Sequence, residues 1–307
     1  MDDIINTRNL TKHYGNVHAV DSISISVRKG EIYGFLGLNG AGKTTTIRML
    51  LGMIRPTSGE SNIFGKRVDA GNYHLWADIG YLVEMPYSYP DLSVKENLEI
   101  VCELRNISDK KCIVDVMDKL QISQYSNRKA KLLSLGNAQR LGLAKALIHS
   151  PSILILDEPS NGLDPAGIVE IRELLSDLAA NHGVTVFISS HILGEISKFA
   201  TRIGIIHEGK LLQELDAAQL GNLRKKRLIV NARDTESLRQ FLANSNYSTE
   251  KSEKGYLVVS DQKAISNPDK IAHLMVQAGV PPTLLKVDEE DLESYFLRII
   301  GMNGDVQ

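Results

Sequence analysis

The sequence predicts an α/β protein whose main domain is a parallel sheet covered by helices on both faces. Two stretches support this. The apolar run 31–36 passes through a glycine-rich loop into a helical segment, 43–53. Further along, strand-like runs at 152–156 and 184–189 flank a helical segment at 167–181. The order of buried strand, helix and buried strand is typical of such sheets.

Length and composition predict two soluble domains. The chain has 307 residues, 43% hydrophobic and 23% charged, with a formal net charge of −2. These values exclude a disordered or collagen-like chain. They also lack the basic surplus that a nucleic-acid partner usually requires, so we expect no nucleic acid. The character of the sequence changes after about Glu214, which places the predicted domains at 1–215 and 216–307.

The cysteine content and the apolar runs argue against a disulfide-bonded, secreted or membrane-spanning chain. The sequence has two cysteines, Cys102 and Cys112, so a disulfide scaffold is excluded and both thiols are expected to be packing residues. The amino-terminal segment is polar and acidic, without the apolar stretch of a secretory signal. The longest apolar runs, such as 153–156, are strand-sized, so any action at a membrane is expected to require another chain.

The rest of the first domain follows in order. Short strands are predicted at 4–6 and 23–27, separated by turn residues. Helix-type periodicity dominates 93–147. The run 203–207, followed by Glu-Gly-Lys at 208–210, predicts a closing hairpin.

The second domain is predicted to be a small α+β unit. Its predicted strands and helices alternate, at 228–231, 235–243, 256–260, 268–278, 284–287 and 290–300. The order suggests a ferredoxin-like βαββαβ unit with a terminal helix. A basic run at 224–227 precedes it, and we interpret this run as a solvated linker, with contact to anionic lipid head groups as the alternative.

The glycine-rich loop fits the pattern G-x-x-x-x-G-K-[ST]. It consists of Gly37, Leu38, Asn39, Gly40, Ala41, Gly42, Lys43 and Thr44. Glycines allow backbone N–H groups to surround phosphate oxygens, and the following helix adds its positive end. Lys43 supplies a charge to the β- and γ-phosphates, and the Thr44 hydroxyl can ligate Mg²⁺. The loop therefore predicts a nucleoside-triphosphate site.

Two carboxylates follow the apolar strand 153–156. They stand at its carboxyl end, where open α/β sheets bind ligands. Asp157 is predicted to support the Mg²⁺ shell, as in other P-loop proteins. Glu158, one residue further along, is predicted to act on the attacking water, either as general base or by orienting it.

A third sequence motif narrows the class of P-loop protein to which this chain can belong. Leu133-Ser134-Leu135-Gly136 stands before the Asp-Glu strand and opens a helical run, 137–148. Here the chain resembles the ATP-binding cassette (ABC) ATPases, whose signature LSGGQ precedes a helix. Ser134 and Gly136 are retained, while Leu135 replaces the usual first glycine and Asn137-Ala138-Gln139 departs from common family sequences.

Other family landmarks follow in the expected order over about residues 3 to 215. Tyr14 matches the aromatic residue that stacks on adenine. The segment 160–164 matches the loop that crosses between protomers, with Asp164 at its acidic end. His191 follows the strand 184–190 and matches the switch histidine that contacts the γ-phosphate.

One landmark departs from the family. The segment 79–84 aligns with the loop in which most members have a glutamine that ligates Mg²⁺ and senses the permease, and this chain has Glu84 there. Glutamate at this place and the segment 89–98 are similar to ATPases of lantibiotic-immunity and bacitracin-resistance exporters, and the segment 291–297 is similar to ATPases that serve small six-helix permeases. A carboxylate still offers an oxygen to Mg²⁺, so Glu84 is predicted to act in catalysis and as a metal ligand.

The resemblance implies a P-loop, RecA-like core with an antiparallel β subdomain and a helical subdomain at about 86–150. It implies an ATPase that uses ATP and Mg²⁺, pairs head-to-tail with a second ATPase chain and serves a separate membrane permease at the cytoplasmic face. The implied cargo is an antimicrobial peptide, of the lantibiotic or bacitracin type, or another amphipathic compound removed from the membrane, and the implied role is antibiotic resistance. The expected catalytic residues are Glu158, His191 and Glu84, and the expected metal ligands are Thr44, Glu84 and Asp157. The expected nucleotide contacts are Tyr14, 37–45 (including Thr45), Ser134, Gly136 and Asp164.

Two other functions fit the same motifs. A soluble ABC regulator would use ATP-driven dimerisation on ribosomes or DNA, but such proteins usually carry two cassettes or a charged insertion. A nucleotide-dependent clamp would have lost hydrolysis through Glu84 and Leu135. We favour an active ATPase, because Lys43, Asp157 and Glu158 are all present.

Overall fold

The computed structural model describes residues 3–69, 71–252 and 255–301. The chain divides into two compact units, Met1–Gln219 and Leu220–Gln307, each with a hydrophobic core of its own. The strands of the first unit are β1 (Asp3–Tyr14), β2 (Val17–Ile23), β3 (Ser26–Arg28), β4 (Ile32–Leu36), β5 (Ser58–Ile63), β6 (Lys66–Arg67), β7 (Ile79–Leu82), β8 (Ile153–Asp157), β9 (Thr185–Ser190), β10 (Arg202–His207) and β11 (Lys210–Asp216). Its helices are α1 (Lys43–Leu50), α2 (Val94–Leu104), α3 (Lys111–Lys119), α4 (Leu135–Leu147), α5 (Pro165–His182) and α6 (Leu193–Ile196).

A central sheet organises the first unit. Its described residues form six strands in the order β11-β10-β4-β9-β8-β7. Strands β10, β4, β9, β8 and β7 run parallel, and β11 closes one edge as an antiparallel hairpin partner of β10. Every residue of β4, β8 and β9 is buried, as in strands covered on both faces. The predicted parallel sheet and closing hairpin are therefore confirmed.

The register of this sheet brings three loops to one edge. Leu36 at the end of β4 lies opposite Ser190 of β9, and Asp157 at the end of β8 lies opposite Ser189. Because parallel strands end at the same edge, the segments after β4, β8 and β9 are neighbours. These segments contain the glycine-rich loop, Glu158 and His191.

A second, antiparallel sheet lies in the amino-terminal part, with the order β2-β1-β5-β6 and β3 paired to β1. Strand β1 is longer than the predicted 4–6. The predicted strand 23–27 is interrupted, because the Ile25 N–H group donates to the Thr7 hydroxyl at 2.9 Å instead of continuing a strand ladder. This sheet is the antiparallel β subdomain implied by the resemblance.

Helices α2, α3 and α4 pack on one another and form the helical part of the first unit. Helix α1 ends at Leu50, earlier than predicted, and Gly52 follows with a left-handed φ of 62°. Helix α4 begins at Leu135, two residues earlier than predicted, because the Ser134 hydroxyl accepts a hydrogen bond from the Asn137 N–H group. Among the described residues, no helix is long and apolar enough to cross a membrane.

The second unit is a ferredoxin-like α+β fold. Its elements are α7 (Leu220–Leu223), β12 (Lys226–Ala232), α8 (Thr235–Asn244), β13 (Thr249–Lys251), β14 (Leu257–Val259), α9 (Gln262–Ser266), α10 (Pro268–Gln277), β15 (Pro282–Glu289) and α11 (Leu292–Ile299). The antiparallel sheet has the order β13-β14-β12-β15. Strand β13 is an addition to the predicted elements, because its three residues are polar and none is fully buried.

The basic run at 224–227 is not a solvated linker, since strand β12 begins within it. Lys226 and Arg227 lie opposite Glu289 and Asp288 of β15 and pair with them at 2.9 and 3.2 Å. Arg224 also pairs with Glu289, at 2.6 Å. Opposite charges on neighbouring strands stabilise the sheet modestly. Three of the four basic side chains of the run are thus paired with carboxylates of this unit.

Candidate nucleotide-binding site

The glycine-rich loop connects β4 to α1. Gly40 and Gly42 have left-handed φ angles of 81° and 107°. At Gly42 a Cβ would lie 2.4 Å from the carbonyl oxygen of Ala19, and at Gly37 it would lie 2.5 Å from that of Ile206. The backbone can therefore adopt this turn only with glycine at these places. The turn ends at the amino terminus of α1, where backbone N–H groups and the helix dipole favour an anion.

Lys43 is held at the centre of this loop. Its side chain is 6% exposed, and Nζ donates to the carbonyl oxygens of Gly37 at 2.7 Å and Leu38 at 3.2 Å. Nζ also lies 3.2 Å from Glu158 Oε1. A buried ammonium in these surroundings is a fixed positive charge beside the anion-binding turn, which suits a phosphate chain.

The other predicted loop residues lie around this centre. Leu38, Thr44 and Thr45 are partly buried, Asn39 and Gly40 are exposed, and Ala41 is buried. The Ala41 carbonyl accepts a hydrogen bond from the Gly209 N–H group at 2.9 Å, which ties the loop to the β10–β11 hairpin.

Asp157 joins the loop to the neighbouring strands. The carboxylate is 2% exposed. Its Oδ2 accepts from the Thr44 hydroxyl at 2.7 Å, and its Oδ1 accepts from the Ser189 hydroxyl at 2.6 Å. A hydroxyl and a carboxylate in contact beside a phosphate-binding loop are hard oxygen donors, so the pair fits a Mg²⁺ ion.

Glu158 follows with a left-handed φ of 49°, and its carboxylate has different partners from that of Asp157. Its Oε2 contacts His191 Nδ1 at 2.8 Å. Because a carboxylate only accepts hydrogen bonds, Nδ1 carries the hydrogen. Oε1 is buried and accepts no hydrogen bond from the described residues, although it faces Lys43 at ion-pair distance. An oriented carboxylate with one unused oxygen can accept a proton from a water molecule.

Ser189 is a site residue that the motifs did not reveal. It is fully buried on β9, donates to Asp157 and accepts a hydrogen bond from the Glu158 N–H group at 3.0 Å. It therefore fixes both carboxylates. The only sequence signal was a pair of serines at the end of an otherwise apolar strand.

We expect Ser189→Ala to lower the free energy of unfolding by about 1–3 kcal/mol, because the Glu158 N–H group and one Asp157 oxygen lose their partner in a buried place. The rate of ATP hydrolysis should also fall, since the hydroxyl that holds Asp157 and Glu158 in position is missing. Chemical denaturation and phosphate release measure the two effects. Ser176→Ala on α5 is the control, and equal stability of the two variants would contradict the role of Ser189.

Glu84 is placed differently from the other predicted residues. It has a left-handed φ of 56°, and its Oε1 pairs with Arg48 Nη2 on α1 at 2.6 Å. Within the described part of the chain, no hydrogen bond or ion pair links Glu84 to Thr44 or Asp157. Its role in catalysis and metal binding stays a prediction.

The signature segment and the segment 160–164 lie against each other. Ser134 caps α4, and Leu135 covers Gly162, where a Cβ would approach the leucine side chain to 2.5 Å. Ser134, Gly136 and Asp164 line one open cleft of about 380 Å³. Asp164 also caps α5 by accepting from the Gly167 N–H group at 3.0 Å. Ser134 and Asp164 are exposed and Gly136 is partly buried, and Lys43 does not line this cleft.

Two further contacts support the signature helix. Arg140 Nη2 pairs with Glu170 Oε2 at 2.7 Å and so joins α4 to α5. The buried Gln139 donates through Nε2 to the carbonyl oxygen of Glu158 at 3.5 Å, a long hydrogen bond. Both side chains lie in the predicted helical run 137–148, but their partners are distant in sequence.

Tyr14 ends β1 with its side chain 48% exposed. Lys12 Nζ lies 5.0 Å from the centre of its ring. The exposed aromatic ring offers a flat surface on which a purine base can stack.

A P-loop beside paired carboxylates on a parallel sheet defines a nucleoside-triphosphate hydrolase. Residues 20–161 match the ABC transporter family. The bacitracin transport ATP-binding protein BcrA of Bacillus licheniformis is 42% identical over 98% of this chain and 98% of its own. The protein of the same name from Enterococcus faecalis is 37% identical over 99% and 98%. The lantibiotic transport ATP-binding protein SrtF of Streptococcus pyogenes is 37% identical over 72% of this chain and 95% of its own.

A solved structure agrees with these relatives. The dimeric structure of a bacterial ABC transporter cassette superposes with a TM-score of 0.65 at 25% identity, covering 69% of this chain and 98% of that one. The chain belongs to the ATP-binding proteins of ABC transporters, and it is an ATPase.

Proposed function

We propose that this ATPase powers a separate membrane permease that exports a peptide antibiotic of the bacitracin type, working from the cytoplasmic face of the membrane. One observation carries the choice of cargo. Similarity to the bacitracin transport relatives extends over both units of the chain, whereas the lantibiotic relative matches only 72% of it.

The nucleotide site supports the following mechanism. The triphosphate binds the turn before α1, where it competes with Glu158 for the ammonium of Lys43. Once Lys43 binds phosphate, Glu158 is free to accept a proton from the attacking water through Oε1, while His191 holds Oε2. Thr44 and Asp157 would hold a Mg²⁺ ion, which neutralises phosphate charge and withdraws electrons from phosphorus.

A second ATPase chain completes the proposed assembly. Ser134, Gly136 and Asp164 line a cleft of their own, so we infer that they meet the nucleotide bound by a partner protomer. The amino terminus of α4 supplies backbone N–H groups that favour a phosphate. Two such chains would pair head-to-tail with two nucleotides between them.

The permease would dock in a groove of about 810 Å³ in the first unit. Apolar side chains on its walls include Met53, Trp76, Tyr81 and Leu104. Leu104 is 76% exposed, and Met53 and Tyr81 are also exposed. An open groove with exposed apolar side chains among polar ones suits an amphipathic helix of a partner protein.

The loop that follows Glu84 presents further apolar side chains. Met85 and Tyr87 are exposed. Lys145 fixes the loop from inside, because its Nζ donates to the Tyr87 carbonyl at 2.9 Å and to the Ser88 hydroxyl at 3.0 Å. Burial lowers the pKa of Lys145 to about 8. A rigid loop with an apolar tip can transmit movement between the permease and the nucleotide site.

We expect Leu104→Glu to weaken association with the permease by about tenfold or more, because the docked partner would desolvate a charge beside the apolar side chains of the groove. Co-purification from detergent and permease-stimulated ATP hydrolysis measure this effect. Val114→Glu on α3 is the matched control, since Val114 is 52% exposed and lies outside the groove. Equal association of the two variants would contradict docking at this groove.

We expect Glu84→Gln to change ATP turnover by less than about fivefold, because an exposed ion pair contributes about 0–1 kcal/mol and glutamine retains an oxygen ligand. Steady-state phosphate release, with and without the permease, measures the change. A loss as large as that of Glu158→Gln would instead place Glu84 in the catalytic machinery.

The cargo is tested in bacteria that carry this chain and its permease. We expect the pair to raise the minimum inhibitory concentration of bacitracin more than that of a lantibiotic. The same cells with Glu158→Gln are the control. Protection against the lantibiotic alone would contradict the bacitracin-type cargo, and protection against neither would contradict export of peptide antibiotics.

A further inference from the structure

The two cysteines of the sequence meet in the helical part of the first unit. Cys102 lies in the last turn of α2, and Cys112 is the second residue of α3. Their Sγ atoms are 3.6 Å apart, and both thiols are free. A disulfide requires an S–S distance of about 2.05 Å, so the sulfur atoms need to approach by about 1.6 Å.

The two thiols differ in their access to solvent. Cys102 is fully buried, whereas Cys112 is partly exposed and lines an open cleft of about 420 Å³. Burial, followed by the hydrogen bond with Cys112, raises the pKa of Cys102 to about 11. A small oxidant entering the cleft therefore reaches Cys112 first and finds Cys102 directly behind it.

We propose that Cys102 and Cys112 form an oxidation site at which a hydroperoxide converts the two thiols into a disulfide between α2 and α3. In the first step Cys112 sulfur attacks the peroxide oxygen, the O–O bond breaks, and Cys112 becomes a sulfenic acid with release of water or an alcohol. In the second step Cys102 sulfur attacks Cys112 sulfur. The sulfenic hydroxyl leaves as water with the Cys102 proton, and the peroxide has taken both electrons.

The bond would change the contacts at the start of α3. Cys112 Sγ now donates to the carbonyl oxygen of Asp109 at 3.1 Å, and that hydrogen bond is lost on oxidation. Helices α2 and α3 both pack on α4, which begins at the signature segment. In a compartment that keeps thiols reduced, such a bond is transient and reports exposure to oxidant.

Peptide mapping of the full chain tests the proposal. The reduced protein is treated with hydrogen peroxide near neutral pH, free thiols are blocked, and trypsin digestion follows without reductant. Cleavage after Arg105 and Lys111 separates the cysteines, so the disulfide links peptides 96–105 and 112–119. We expect this linked pair in the monomer, lost again on treatment with dithiothreitol.

Single variants test the order of the two steps. In Cys102→Ser, Cys112 is expected to give a sulfenic acid that dimedone traps. In Cys112→Ser, Cys102 is expected to react with peroxide at least about tenfold more slowly than Cys112 does in Cys102→Ser. This difference in rate should disappear in urea-unfolded protein. Circular dichroism of each variant checks its fold. Equal rates in the folded variants, disulfides only between chains, or a trapped sulfenic acid beside a free Cys102 in the unmutated protein would each overturn the proposal.

Discussion

Glu158→Gln is expected to lower ATP turnover by about 10²–10⁴-fold while ATP binding is retained. Glutamine keeps the size of the side chain and its contact with His191, but its amide cannot take the proton of the attacking water. Glu158 does not touch the glycine-rich turn except through Lys43, so the phosphate contacts of α1 remain. ATP-dependent dimers should therefore accumulate.

Phosphate release in the presence of the permease measures turnover, and size-exclusion chromatography with ATP measures the dimer. Glu173→Gln is the matched control, because Glu173 is an exposed carboxylate on α5. Turnover within about twofold of the unmutated protein would contradict Glu158 as the general base.

Lys43→Ala is expected to weaken ATP binding by about tenfold to a hundredfold, a loss that corresponds to one or two charge-assisted hydrogen bonds. Without Nζ the turn loses its buried cation, and Glu158 loses the positive charge at 3.2 Å. The uncompensated carboxylate would then repel the phosphates. Turnover should fall even at saturating ATP.

Calorimetric titration with ATP measures the affinity, and Lys66→Ala on β6 is the control because Lys66 is exposed. Lys43→Ala and Glu158→Gln together separate binding from chemistry: Lys43→Ala should lose affinity, whereas Glu158→Gln should lose only turnover. Unchanged affinity in Lys43→Ala would contradict the phosphate-binding role of this loop.

Local patterns were sufficient for much of the fold. The strands β4, β8 and β9 each contain a short run of mainly apolar residues, and such runs indicate burial on both faces of a sheet. The glycine-rich loop was readable because its backbone angles and the space around Gly37 and Gly42 exclude other residues. Strand β13 was missed since it is a short polar edge strand stabilised by its pairing with β14.

Such local patterns do not predict which side chains contact each other. Ser189 and Asp157 are separated by 32 positions, and only the register of β8 and β9 places them opposite each other. The same holds for Arg48, which engages Glu84, and for Arg140, which joins α4 to α5. Cysteines with neither a metal-site spacing nor a C-x-x-C pattern gave no sign that their sulfur atoms would be in contact.

The sequence by itself determined the fold class, the nucleotide-binding loop and the family, because backbone angles and buried runs are properties of short segments. The tertiary structure decided which residues share a hydrogen bond: it assigned Lys43 and His191 to the two oxygens of Glu158, left one of those oxygens without a hydrogen bond, and brought Cys102 to Cys112. Such contacts depend on strand register and helix packing, which join segments far apart in the chain.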